Sequence, residues 1–175
     1  LPMGAGKTFL MAAFIYIDLY FAQNEPDNPV WAHNFLILAP SALKSSIIPS
    51  LKNIREFDPS WIFSEAEAQK LRRLIQFEVL DEQKSASKSN AVRNPNAQKI
   101  NTHLYGRDVM GIVALTNAEK VILDRMDASA GDEGAFSREE IKKIEIANEL
   151  RSVIGRIPHL AVFIDEVHHA TDDDI

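Results

Sequence analysis

An α/β fold built on a mostly parallel sheet is what this sequence predicts, and three observations carry the prediction. Short, continuous apolar runs occur at residues 35–39, 108–115 and 160–165, each flanked by segments of helical period. Continuous rather than alternating apolarity marks a strand buried on both faces. The order helix, strand, helix, strand, helix, strand, with no internal repeat, is the wiring of a parallel sheet with helical crossovers. At 175 residues the chain has the size of one domain with a sizeable core.

The first helix is expected over Lys7–Ala22, apolar on most faces and therefore packed against the sheet. The turn-rich segment QNEPDNP ends it. FLILA (Phe35–Ala39) is the first buried strand. Pro40-Ser41 then opens a helix running to about Asn53, with Pro49 as a kink or early stop. Ser64 and Glu67 form a capping box ahead of a helix over residues 65–83, with Leu71, Leu74, Ile75 and Val79 as its apolar stripe. The polar run KSASKSNAVRNPNAQ reads as a loop. Asp108–Leu115 is the second strand, and AEKVILDRM begins a further helix. Ser137 and Glu140 cap a helix that Pro158 stops, and Leu160–Asp165 is the third strand. The stretch 57–105 exceeds what strand–helix–strand wiring needs and reads as a helical and loop elaboration. Within it, Trp61 and Phe63 read as core aromatics rather than a base-stacking platform, and Arg72-Arg73 as a solvated face.

Composition narrows the function classes. Net charge is −6, which argues against a stand-alone basic nucleic-acid binder, though not against a protein that touches a few phosphates locally. There is no cysteine, hence neither disulfide nor thiolate metal site. The apolar stretch 9–21 is too short to span a bilayer and contains Asp18. With no signal peptide visible, the expectation is a soluble, cytoplasmic protein that engages no membrane.

Two stretches carry chemistry. Gly4-Ala5-Gly6-Lys7-Thr8 ends a phosphate-binding loop pattern. Glycines let successive backbone N–H groups face phosphate oxygens, and the helix starting at Lys7 adds its positive end. Lys7 would reach the β- and γ-phosphates of ATP, and the Thr8 hydroxyl would help to hold Mg²⁺. The strict pattern wants a glycine five positions before Gly6, where Leu1 stands. At the other end, the buried strand AVFI delivers Asp165 and Glu166 at its carboxyl end, the edge where parallel α/β sheets bind ligands. Aspartate is an oxygen ligand suited to Mg²⁺, and the adjacent glutamate can orient and deprotonate water. His168-His169 is not a metal site, because no further ligands stand at metal-site spacing. His33, His103 and His159 are isolated and receive no role.

Together these segments resemble motifs I and II of superfamily 2 helicases and translocases. Motif I is Met3-Gly4-Ala5-Gly6-Lys7-Thr8, and motif II, the DEAD/DEAH box, reads Asp165-Glu166-Val167-His168. The resemblance implies an incomplete three-layer, RecA-like P-loop domain over residues 1–175. Asp165 would coordinate Mg²⁺, Glu166 would be the catalytic base, and His168 would couple the nucleotide site to the motor. Valine in the third position departs from strict DEAD and DEAH boxes and disfavours an RNA helicase of the DEAD-box type.

LAPSALKSSIIPSL looks like motif Ia, which would put Ser41 and Lys44 on a nucleic-acid phosphate. GIVALTNAEKV looks like motif Ib, with Thr116 in the matching place. The loop paired with DEVHHA resembles the restriction-subunit branch, including the motor subunits of type III restriction enzymes. That implies DNA as partner, with a modification or specificity subunit beside it. A phosphate loop with no strand ahead of it, no motif III and no second motor lobe reads as part of one motor domain. Without the arginine finger of a second lobe, ATP hydrolysis by this chain is expected to be weak or absent. A P-loop ATPase acting on protein or small-molecule cargo, or a non-hydrolytic nucleotide-binding module, are the alternatives that the residues leave open.

Overall fold

The computed structural model describes residues 6–39, 52–80, 94–106, 108–117, 121 and 147–164. They form an α/β unit around a four-stranded, all-parallel sheet. The described helices are α1 (Lys7–Asn24), α2 (Glu65–Leu74), α3 (Pro95–His103) and α4 (described over residues 147–154), with a further helical stretch at 52–55 where the helix expected to about Asn53 comes into view. The strands are β1 (Asn34–Ala39), β2 (Gln76–Val79), β3 (Ile112–Asn117) and β4 (Leu160–Ile164), in the sheet order β2-β3-β1-β4. Among the described residues no helix is long and apolar enough to cross a membrane.

Side-chain alternation along the central strands divides the core into two layers. Phe35, Ile37 and Ala39 of β1 and Val113 and Leu115 of β3 point to one face, where they meet Ala12, Ile15, Tyr16 and Leu19 of α1 and Leu71 of α2. Leu36 and Leu38 point the other way with Ile112 and Ala114, against Ala97 and Ile100 of α3 and Leu150, Val153 and Ile154 of α4. Helices therefore cover both faces. Every residue of β1 is buried, which explains its unbroken apolar run. Each fully buried Ile, Leu or Phe contributes roughly 1.5–3 kcal/mol of transfer free energy.

The expected strands are present with shifted ends. β1 gains Asn34, β4 is described to Ile164, and β3 starts at Ile112 rather than Asp108 and runs to Asn117. The late start of β3 follows from Gly111, whose φ of 90° breaks the extended backbone. Two expectations are corrected. The helix expected over 65–83 ends at Leu74, and Gln76–Val79 pairs in parallel with β3 as an edge strand. In this segment Phe77 and Val79 join the α1-side core, while Glu78 pairs with His103 at 2.7 Å, the two-residue period of a strand. The run expected to be loop through Gln98 turns helical at Pro95. The Asn94 carboxamide oxygen accepts from the N–H groups of Asn96 and Ala97, and proline suits the first helical position. The stretch 57–105 thus supplies one strand of the sheet and a helix on each face.

Three groups pin the foot of the sheet. The Asn34 side chain is buried and donates to the carbonyls of Val109 (2.9 Å) and Pro158 (2.8 Å). Its carbonyl oxygen accepts from the Ile112 N–H at 3.1 Å. Gly111 donates to the His33 carbonyl and accepts from the Gln76 N–H, both at 2.8 Å.

His33 is the third. Its ring is buried and stacked on that of His159 at 4.3 Å, and its Nε2 has no hydrogen-bond partner among the described residues. The His159 carbonyl accepts from the N–H groups of both His33 and Asn34. Burial, and secondarily the neighbouring His159, push the His33 pKa below its ordinary value. The unfolded chain then takes up a proton near the usual 6.5 while the folded chain does not. Stability is full above that value and falls as pH drops toward the lowered folded pKa. Asp18, raised by burial, acts with the opposite sign around the carboxylate range and is common to any His33 variant. In His33→Phe, which keeps a ring on His159, the decline in urea midpoint between pH 7.5 and 5.5 should be shallower. Equal slopes in the two proteins would exclude His33 as its source.

Candidate nucleotide site

The start of α1 is where the sequence places phosphate chemistry. Gly6 has φ 83° and ψ 9°, the left-handed region that glycine occupies without strain, and the helix begins at the next residue. The first intrahelical bond near this end runs from the Leu10 N–H to the Gly6 carbonyl at 2.9 Å. The N–H groups of Lys7, Thr8 and Phe9 precede that bond and have no acceptor within the helix. Among the described residues no side chain caps them, and no acidic residue lies in the first turn. Elsewhere the chain does cap its helices: Ser64 and Glu67 form the expected box on α2, and Asn94 serves α3. An open, glycine-led helix start beside a lysine and a hydroxyl is a place where an anion gains both hydrogen bonds and the helix dipole.

Connectivity sets this helix end at a defined edge of the sheet. After α1 the chain reverses within residues 25–33. There the Glu25 carboxylate accepts from the Trp31 indole N–H (3.0 Å) and the Asn28 amide (2.7 Å), and Trp31 stacks on Phe21 at 4.4 Å. The hydrogen bonds to Trp31 and Asn28 also hold the Glu25 carboxyl below its ordinary pKa. So tight a reversal makes α1 run antiparallel to β1, with Ala12, Ile15, Tyr16 and Leu19 packed in the α1-side core. The first turn of α1 therefore faces the carboxyl edge of the parallel sheet. β4 reaches that edge, with Ile164 registered on Leu38 of β1. Asp165 is the next residue in the sequence and lies outside the described residues.

The expected site residues divide in two. Gly6, Lys7 and Thr8 are described, with Gly6 exposed and Lys7 and Thr8 half-buried at the helix start. Met3, Gly4, Ala5, Ser41, Lys44, Asp165, Glu166 and His168 lie outside the described residues. Thr116 is described and wholly buried near the end of β3, where its hydroxyl donates to the Leu80 carbonyl at 3.2 Å. That bond ties β3 to the chain leaving β2, and a phosphate contact from Thr116 would require its release.

The donors named for a cation are hard oxygens, the Thr8 hydroxyl and the Asp165 carboxylate, which suit Mg²⁺. The uncapped amides and Lys7 suit the polyphosphate it would neutralise. On these counts the residues fit Mg²⁺-ATP.

Trp61 and Phe63, both expected in the core, part company: Phe63 stacks on Tyr20 at 4.8 Å, whereas Trp61 is 73% exposed. The signal that turns Trp61 outward is local. Asp58 caps a 3₁₀ turn over Pro59–Trp61, its carboxylate accepting from the Ser60 N–H at 2.9 Å and from Arg72 at 2.7 Å. The bonds from Ser60, ahead of the Arg72 charge, keep the Asp58 carboxyl below its ordinary pKa.

No family model, curated protein or solved structure matches this chain.

Proposed function

We propose that the chain is the ATP-binding lobe of a nucleic-acid-dependent ATPase, a DNA helicase or translocase of a restriction or defence system. The observation that carries this reading is the left-handed Gly6 immediately ahead of Lys7-Thr8. It opens a helix with no side-chain cap among the described residues, whose first turn faces the sheet edge that β4 reaches at Ile164. Beyond that, the reading rests on residue types and their resemblance to motifs I and II.

In this reading the amides at the start of α1 and the Lys7 ammonium bind and orient the triphosphate. Thr8 and Asp165 would hold Mg²⁺, which when bound neutralises charge on the β- and γ-phosphate oxygens. Glu166 positions and deprotonates the attacking water. His168 links that event to the nucleic-acid side, where Ser41 and Lys44 would meet the DNA backbone, joined by Thr116 only if its hydroxyl leaves the Leu80 carbonyl. A net charge of −6 means that DNA affinity must come from such local contacts rather than from overall attraction.

The test is Mg²⁺-ATP binding by the chain and by Lys7→Ala, measured by calorimetry, followed by DNA binding with and without ATP. Lys7→Ala should weaken ATP binding at least tenfold, about 1.4 kcal/mol. ATP should also change the affinity for duplex DNA. A wild-type chain that binds no ATP at millimolar concentration would overturn the reading.

A further inference from the structure

Two aromatic rings at the head of α1 are left open to solvent. Trp61 is 73% exposed and Phe9 43%. Their centroids lie 5.5 Å apart, tilted by 44°. Both rest on Phe57, at 5.0 Å from Phe9 and 6.5 Å from Trp61. Phe57 is buried and stacked on Tyr16 at 5.5 Å. The pair therefore has a rigid base: Phe57 fixes it to α1, and the Asp58–Arg72 contact of 2.7 Å fixes the turn carrying Trp61 to α2.

Position singles out what would cover these rings. Phe9 stands two residues beyond Lys7, about 3 Å along the helix axis. Side chains on a helix lean toward its N-terminus, so the Phe9 ring covers ground beside the first turn rather than the middle of α1. A nucleotide with its phosphates on Gly6–Thr8 thus has a supported aromatic face next to its anchor. Flat heterocycles stack on such faces without needing specific hydrogen-bond partners.

We propose that Trp61, with Phe9 beside it, is the base-stacking platform of the nucleotide site and takes the heterocycle of the nucleotide whose phosphates are held at the start of α1. This rests on the phosphate-loop reading above and adds the half of the ligand that the loop does not touch.

Calorimetry with Mg²⁺ and either ATP or inorganic tripolyphosphate separates the two ideas, using the wild-type chain, Trp61→Ala, Trp61→Phe and Lys7→Ala. Trp61→Ala should weaken ATP about tenfold, within the range for loss of an aromatic base stack, and leave tripolyphosphate unchanged. Trp61→Phe should keep most of the ATP affinity, and Lys7→Ala should weaken both ligands. If Trp61→Ala binds ATP like wild type while Lys7→Ala weakens both, the platform is refuted and the phosphate site stands. Equal loss of both ligands in Trp61→Ala would show an effect on the fold and also refute it. Weakened binding of a single-stranded oligonucleotide, with ATP unaffected, would reassign the rings to a nucleic-acid strand and overturn the proposal. If wild type binds neither ligand, both readings fall together.

Discussion

Gly111→Ala should destabilise the fold by about 4 kcal/mol, combining the strain of a left-handed non-glycine residue with overpacking. Gly111 has φ 90°, and a Cβ built there would lie 2.2 Å from the Leu74 carbonyl oxygen and 2.8 Å from its carbon. Those are backbone atoms, so no rotamer change can relieve the clash. Nor can Gly111 move aside cheaply. Its N–H is committed to His33 and its carbonyl to Gln76, which ties the approach to β1 to the first residue of β2. Relief requires the α2–β2 corner to withdraw, and with it the edge strand that pairs with β3. Gly106→Ala is the control, because a Cβ there meets nothing within 4 Å and its φ is not in the left-handed range. Urea unfolding followed by tryptophan fluorescence and circular dichroism should show a large loss for Gly111→Ala and less than about 1 kcal/mol for Gly106→Ala. Similar midpoints for the two variants would show that the corner at Leu74 is soft.

That corner also shows where sequence patterning stops informing. β1 and β3 were legible because a strand buried on both faces leaves a run of apolar residues that few other structures need. β4 carries the same apolar run and was found by it, but it is not the buried strand expected: it lies at the edge of the described sheet, with Val162 and Ile164 about half exposed. α1 was legible for a related reason, being apolar almost all round. β2 was not, since Leu71, Leu74, Ile75 and Val79 fit a helical stripe as well as Phe77 and Val79 fit an edge strand. What decides between them is the partner strand at Ile112–Leu115, which is remote in sequence. Sheet order was out of reach for the same reason, because it is set by pairings between segments far apart in the chain. α3 was hidden by polarity: its caps, Asn94 and Pro95, sit in a run whose composition reads as loop. At the site, Gly6 was readable because a left-handed backbone demands a particular residue type. The outward turn of Trp61 was not, since DPSWIF states that aromatics are present but not which ring the Asp58 cap sends to solvent.

Asn34→Leu should cost about 3–5 kcal/mol, because it leaves buried polar backbone groups unpaired at the junction of three strands. Leucine has similar size, so lost packing is the smaller part. The larger part is the fate of the Val109 and Pro158 carbonyls and the Ile112 N–H, each of which the Asn34 carboxamide satisfies. Those groups belong to the chain leading into β3 and β4, so one side chain on the central strand fixes where both neighbours begin. Asn34→Asp isolates the donor half. It keeps an oxygen for the Ile112 N–H but sets a buried carboxylate against two carbonyl oxygens, and it should destabilise at least as much at neutral pH. Protonation returns one donor, so lowering the pH toward 4 should narrow the gap between Asn34→Asp and wild type, the reverse of the trend expected from His33. The consequences for function differ from those for stability. Asn34 is the first residue of β1 and lies at the foot of the sheet, whereas α1 starts at the opposite edge, which β4 reaches at Ile164. The folded fraction of Asn34→Leu should therefore bind Mg²⁺-ATP with the wild-type Kd, while its urea midpoint falls sharply. A tenfold weaker Kd in protein shown to be folded by circular dichroism would mean that the foot and the nucleotide edge are coupled through the strands rather than independent.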